Sequence, residues 1–210
     1  MQVYLFLTGM KRIVQLFFFL IFSSFVYAQD FGAALLVGSN FSQVDGDQLG
    51  GYNKLGLNLG LEINRKINTD WEGAFEIRFS MKGAKKVIDI NNPTPDLRLS
   101  YHYLEVPFLA KYTKLDKVTP YAGLSVGVNV FNQRDDNGII SKEEKLNKTE
   151  IGFHLGGTYH LNNKWALDLR HSYSLFSIRD YPIIMNSPTV FGRAGWYNRL
   201  FTAGLRYNLQ

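Results

Sequence analysis

The sequence predicts an all-β chain: an eight-stranded, antiparallel, up-and-down transmembrane β-barrel with short periplasmic turns and long external loops. Three observations carry this. Apolar and polar residues alternate with a period of two over stretches longer than ordinary strands, an export signal heads the chain, and the connections alternate between short and long. The alternation is clearest from Lys54 to Lys82. Odd positions there hold Leu55, Leu57, Leu59, Leu61 and Ile63, then Trp71, Phe75, Ile77, Phe79 and Met81. Even positions hold Lys54, Asn58, Glu62, Glu72, Glu76, Arg78 and Lys82. A period of two gives a strand two unlike faces. Runs of this length with full charges on one face suit a barrel whose apolar side meets lipid and whose polar side fills the lumen.

At the start of the chain, Lys11 and Arg12 precede an apolar run from Ile13 to Phe25, and Val26, Tyr27 and Ala28 supply a cleavage site. Residues 1–28 therefore read as a secretory signal peptide cut between Ala28 and Gln29. The basic pair directly follows Met10, so Met1 to Gly9 reads as an upstream start-site artefact. Residues 29–210 form the expected barrel domain, and no other segment could span as a helix. Losing Lys11 and Arg12 lowers the formal charge from +5 to +3. The remaining basic residues are scattered among acidic ones, which argues against nucleic acid as a partner. Cysteine is absent, which excludes a disulfide framework, a thiolate nucleophile and any Cys-based metal site.

Eight stretches share the pattern. They are Phe31–Phe41, Asn53–Arg65, Trp71–Lys82, Tyr101–Thr113, Tyr121–Phe131, Glu150–Leu161, Trp165–Ser174 and Tyr197–Leu209. Tight connections fall near Lys66–Asp70, Lys114–Thr119 and Asn162–Lys164, and long ones near Ser42–Tyr52, Gly83–Ser100, Asn132–Thr149 and Phe176–Trp196. Short turns on the periplasmic side and long loops outside is the rule for bacterial barrels. A ten-strand count stays open if a long loop hides a hairpin. Trp71, Tyr112, Tyr121, Tyr159, Trp165 and Tyr207 fall near the tight turns or chain ends, where an interfacial aromatic girdle is expected. Pro107 lies inside the fourth strand and lacks a ladder donor, so a bulge or a missing hydrogen bond is expected there.

The segment Tyr103-Leu104-Glu105-Val106-Pro107-Phe108-Leu109-Ala110-Lys111-Tyr112 resembles the fourth strand of the PorT-like outer-membrane β-barrel family. Gly38-Ser39-Asn40-Phe41-Ser42 with Gly46-Asp47, Phe75 to Gly83, Pro120-Tyr121-Ala122-Gly123, Asp168-Leu169-Arg170 with Tyr173, and Gly204-Leu205-Arg206-Tyr207 match further markers in the family's order. The chain departs from the pattern at Arg78 and Phe79. The resemblance implies an outer-membrane location in a Gram-negative cell. It also brings into view the namesake's link to protein secretion, which does not transfer on fold alone.

The inward positions carry Lys54, Glu62, Glu72, Glu76, Arg78, Lys82, Glu105, Lys111, Glu150, Asp168, Arg170 and Arg206, both signs in similar number. An eight-stranded bore is wide enough only for its own side chains, so these groups are expected to pair across it. A small-solute, porin-like pore is the competing reading. No catalytic residue, metal site or cofactor is predicted. His154 and His160 share the inward face but stand roughly 20 Å apart along an extended strand, too far to share one ion. His171 invites comparison with a His and Ser pair two residues apart on one face, as in outer-membrane lipid A deacylases. The serines here, Ser172 and Ser174, fall on the opposite face. The expected role is non-enzymatic: envelope support or recognition by the external loops, with ligand-binding residues unassigned. The apolar run Tyr181-Pro182-Ile183-Ile184-Met185 is one candidate contact and the charged stretch Ile139–Lys148 another. Expected partners are outer-membrane lipid and lipopolysaccharide, the barrel-assembly machinery during biogenesis, and a protein at the loops. The alternative is a soluble exported lipocalin-like barrel binding a small apolar ligand, which requires the apolar face to point inward.

Overall fold

Strand formation follows the alternation almost residue by residue. The computed structural model describes residues 31–47, 49–86, 96–142, 146–179 and 195–209. The predicted signal peptide and the apolar run at 181–185 lie outside the described residues. Nine strands run in chain order: β1 (Phe31–Asp45), β2 (Lys54–Lys66), β3 (Trp71–Lys85), β4 (Leu97–Tyr112), β5 (Val118–Asp136), β6 (Ile139–Ser141), β7 (Thr149–His160), β8 (Trp165–Ser174) and β9 (Tyr197–Asn208). The sheet order is β4-β3-β2-β1-β9-β8-β7-β5, and a further β4–β5 pairing closes it into an eight-stranded antiparallel barrel. β6 pairs only with the upper end of β5, as a hairpin outside the closed sheet. A long loop does hide a hairpin, then, without changing the strand count of the wall.

One row of register partners shows how the wall is built. It runs from Val128 through Leu104, Phe79, Leu59, Val37, Leu205, Leu167 and Tyr159 to Val118, which lies on the same strand ten residues below its start. That stagger tilts the strands about the barrel axis. All of the row faces outward, with Val37 56% exposed and Leu104 49% exposed. The lipocalin alternative fails on this point. Its apolar face would line the interior, whereas here the apolar face lies outside and the charged face inside. No helix among the described residues is long and apolar enough to cross a membrane. The crossing is made by strands.

Several strands run further outward than the alternation suggested, to Asp45 in β1, Lys85 in β3, Leu97 in β4 and Asp136 in β5. Beyond the lipid the outer face no longer needs apolar residues, so the sequence signal fades while the ladder continues. Pro107 behaves as expected on one side. β3–β4 pairing passes from Phe75↔Phe108 to Arg78↔Glu105, leaving Val106 and Pro107 unpaired without a change of register. The bulge lies elsewhere. His102 pairs with Phe131 and Tyr103 with Asn129, so Val130 is the extra residue, and it and Phe131 both face out.

The aromatic girdle is present, with one correction. Trp71 packs on Tyr112 at 5.2 Å and Trp165 on Tyr207 at 4.8 Å, while Tyr159 stands exposed. Tyr121 is buried inside the lumen instead. Its odd position in β5 sets it opposite Ala122 and Leu124, and parity outweighs its nearness to the turn. A second belt lies towards the external side, where His102 stacks on Phe131 at 4.6 Å and meets Phe79 at 5.8 Å, and His171 meets Phe201 at 4.8 Å.

Candidate functional site

Ten of the twelve expected lumen charges are buried; Glu72 and Lys54 are partly exposed. They form three tiers. In the outer tier, Lys82 of β3 lies between Glu105 of β4 and Glu150 of β7, pairing with both, at 2.9 Å from the Glu150 Oε1. Ser174 Oγ donates to the same oxygen at 2.7 Å, and Asn198 Nδ2 to the other at 2.9 Å. The Tyr103 ring lies 4.8 Å from the Lys82 ammonium.

The middle tier centres on Glu76. The guanidinium of Arg170 donates to both its oxygens at 2.8 Å, and Arg78 donates to one of them at 3.1 Å. Arg78 also donates to Asn58 Oδ1 at 2.9 and 2.6 Å, and Asn58 donates onward to Asn40 at 2.9 Å. Arg170 Nε donates to Tyr121 Oη at 3.0 Å, and Tyr121 donates to Asp168 at 2.8 Å. The nearby His154 ring is held between two hydroxyls, Nδ1 at 2.7 Å from Ser172 Oγ and Nε2 at 2.8 Å from Ser125 Oγ.

In the inner tier, Glu62 holds Lys111 at 2.5 Å and Arg206 at 2.6 Å, with Glu72 3.9 Å from Lys111. A charge removed from water this far is tolerable only when paired and hydrogen-bonded, and the paired arrangement predicted for the bore meets that need. The competing porin-like reading requires an open path, and cross-linked side chains occupy the bore instead.

Each mouth differs from the simple polar lumen expected. Towards the periplasm, a cavity of about 540 Å³ opens below the inner tier, lined by Asn64, Glu72, Lys111, His160 and Arg206 among others. His160 lies 2.9 Å from Thr119 Oγ1 and well apart in sequence from His154, and among the described residues no group of three or more His, Asp or Glu could hold a metal ion. Towards the outside, Val44, Leu99, Tyr101, Tyr103, Ile178 and Trp196 form a buried apolar cluster. Ile178 and Trp196 belong to the connection between β8 and β9. Ile178 N donates to the Trp196 carbonyl at 2.8 Å and Trp196 N to the Arg179 carbonyl at 3.0 Å, which draws both ends of that connection over the bore. The sequence did carry a sign of this. Leu99, Tyr101 and Tyr103 have the same parity as Glu105 and so had to face inward.

His171 packs outward against Phe201 while Ser172 and Ser174 point into the lumen, so the two kinds of group are on opposite faces. Lys54 also departs from expectation. A Cβ built on Gly83 would lie 3.0 Å from Lys54 Cε, so its stem runs along that glycine, where β2–β3 pairing has already ended above Asn58↔Ser80.

At the external rim, Asp45 accepts from Gln43 Nε2 at 2.5 Å and lies 3.4 Å from Arg199. Two residues on, Asp47 accepts from the Leu49 amide at 2.9 Å. Burial pushes the Asp47 carboxyl up to about 6; the Leu49 amide opposes this and the Asp45 charge adds to it. An aspartate whose folded value is raised makes the loop less stable as it ionises. The penalty is absent below the ordinary value of 3.8 and complete above about 6, and amounts to at most about 3 kcal/mol. Exchange of the Leu49 amide, corrected for intrinsic rate, should be better protected at pH 5 than at pH 7.5, and Asp47→Asn should remove the difference. A carboxyl titration midpoint near 4 for Asp47 would contradict this.

A closed antiparallel barrel, apolar outside and filled with paired charge inside, is the architecture of an integral outer-membrane protein. The chain belongs to the outer membrane protein beta-barrel domain family, whose match covers residues 27–180. It is therefore an outer-membrane β-barrel protein of the Gram-negative type. Among solved structures it is similar to Ail, the attachment invasion locus protein of Yersinia pestis, with a TM-score of 0.54 and 15% identity over 85% of this chain and 98% of that one. It is also similar to Neisserial surface protein A, with a TM-score of 0.49 and 17% identity over 83% of this chain and 96% of that one. No curated protein sequence matches the chain.

Proposed function

We propose that this protein is a non-enzymatic, non-conducting barrel that serves the outer membrane as a rigid frame and presents its external loops for recognition. One observation carries the reading. The bore is crossed by three tiers of ion pairs and capped on its outer side by Leu99, Tyr101, Tyr103, Ile178 and Trp196. A wall this well braced leaves the loops as the variable part, and loops on a rigid scaffold are where binding usually resides. Ail, one of the solved barrels of this fold, has been crystallised with the heparin analogue sucrose octasulfate. The placement of His171 and the serines on opposite faces supports the non-enzymatic part.

Reconstituted in planar bilayers at high salt, the protein is expected to give no discrete conductance steps. Reproducible single-channel steps, abolished by a bulky substitution at the periplasmic mouth, would sink the closed-bore reading. Export by cleavage after Ala28, insertion by the barrel-assembly machinery and contact with lipopolysaccharide complete the proposal. N-terminal sequencing of the heat-modifiable outer-membrane species tests the first of these.

A second reading rests on the motifs around Pro107, which resemble the PorT-like branch and with it a role in protein secretion. A deletion strain with an unchanged secreted proteome would exclude it.

A further inference from the structure

Three basic residues meet at the external rim on neighbouring strands. Lys85 of β3 and Arg98 of β4 are direct register partners. Their chain neighbours Ala84 and Leu99 are buried in the bore, so the two cations stand on the outer face. The stem of Lys54 from β2 runs along Gly83, two residues from Lys85, and Arg98 and Lys85 are the charges that act on it most strongly. Gly83 sits at φ 139° and has no Cβ, which leaves room for that stem. Like charges set directly opposite on adjacent strands are destabilising, so an arrangement that gathers three calls for a counter-charge.

The carboxylate best placed to supply one is Asp135 of β5, the register partner of Arg98 on its other side. It accepts instead from the Gly138 amide at 2.9 Å, and no ion pair joins it to Arg98 among the described residues. His102, which also feels the Lys54 charge, lies below the cluster and is stacked on Phe131. Leu55, next to Lys54 in the chain, is 66% exposed on the lipid-facing side. The cluster thus stands just above the external aromatic belt, at the level of lipid headgroups.

We propose that Lys54, Lys85 and Arg98 form a binding site for the phosphate of the outer-leaflet glycolipid, with the acyl chains lying against the apolar wall below. This rests on the membrane-embedded reading of the barrel. Clustered Lys and Arg beside a membrane surface attract anionic headgroups, and Arg adds a planar fork suited to phosphate oxygens. The chemistry sought is a phosphomonoester on a lipid, since a free phosphate lacks the chains that would hold it at the belt.

The test uses the full protein in phosphatidylethanolamine vesicles containing either bis-phosphorylated lipid A or the same lipid with its phosphates removed. Lipid retained on the protein is counted by native mass spectrometry after brief detergent extraction. Wild-type protein is expected to retain the phosphorylated form at least tenfold better, and the preference should weaken as salt is raised. The double variant K85E/R98E should lose the preference, and K85R/R98K should keep it. Heat-modifiable gel mobility of each variant reports folding, and the comparison of the two lipids on wild-type protein needs no variant at all. Equal retention of both lipids by a heat-modifiable wild-type barrel would overturn the site while leaving the barrel intact. Loss of heat-modifiability in the wild-type protein would instead overturn the membrane reading beneath it.

Discussion

Glu76→Gln is expected to destabilise the barrel by about 3 to 5 kcal/mol, the largest effect of any single lumen substitution. Glu76 is fully buried and is the shared acceptor for Arg170 and Arg78. The amide keeps the shape but removes the charge, and one of its two ends can no longer accept from a guanidinium. Arg78 retains Asn58, whereas Arg170 keeps only Tyr121 and an Asp168 oxygen 3.9 Å away. Removing Arg170 as well should therefore recover much of the loss, because the stranded charge goes with it. The pair Glu76→Gln and Arg170→Met should be clearly non-additive in urea unfolding from lipid vesicles followed by tryptophan fluorescence. A loss below about 1 kcal/mol for the single variant would mean that water reaches the tier and solvates the guanidinium, against the closed bore.

Leu59→Arg is the second. Leu59 belongs to the outward row that winds from Val128 to Val118 and lies between the two aromatic belts. A charge on the lipid face costs roughly 2 to 4 kcal/mol near the midplane and little near the interface. Leu57→Arg, one outward position nearer the external side, should cost less than Leu59→Arg by the same measurement. Equal and small losses at both sites would place this face in water and revive a soluble barrel.

The alternation legible in the sequence has a plain physical source. Lipid admits only apolar side chains on one face, and the bore admits only what can pair on the other, so β2, β3 and β7 could be placed to within a few residues. The lumen charges followed by parity. What stayed hidden belongs to places where one of the two environments ends. Above Tyr103 the inward face turns apolar, because Leu99 and Tyr101 pack against Ile178 and Trp196, residues far along the chain that no local pattern connects to them. Above Phe41 and Lys82 the outer face leaves the lipid, and the ladder continues on hydrogen bonds alone. Tyr121 was placed in the girdle by its position near a turn, although its parity already pointed inward. Lys54 has inward parity and yet follows Gly83, because pairing between its strand and the next has ended and the glycine opens the seam. The salt-bridge partners could not be read at all, since which cation meets which carboxylate depends on the barrel's stagger.

The extra residue in β5 has a consequence for how this surface can change. Below Val130 odd positions such as Tyr121 and Ser125 face the bore, while above it Asn132 stands opposite the buried Tyr101 and Asp135 opposite the outward Arg98. That one residue sets the phase of everything beyond it, including the hairpin to β6. Deleting Val130 would turn the outer part of the strand inside out and carry Asp135 towards the bore. A loop transplanted from another barrel keeps its proper face only if the splice includes the bulge. Diversification of the surface-exposed tip is therefore freest as exchange of whole blocks beginning below Val130, and most constrained by single insertions or deletions just above it.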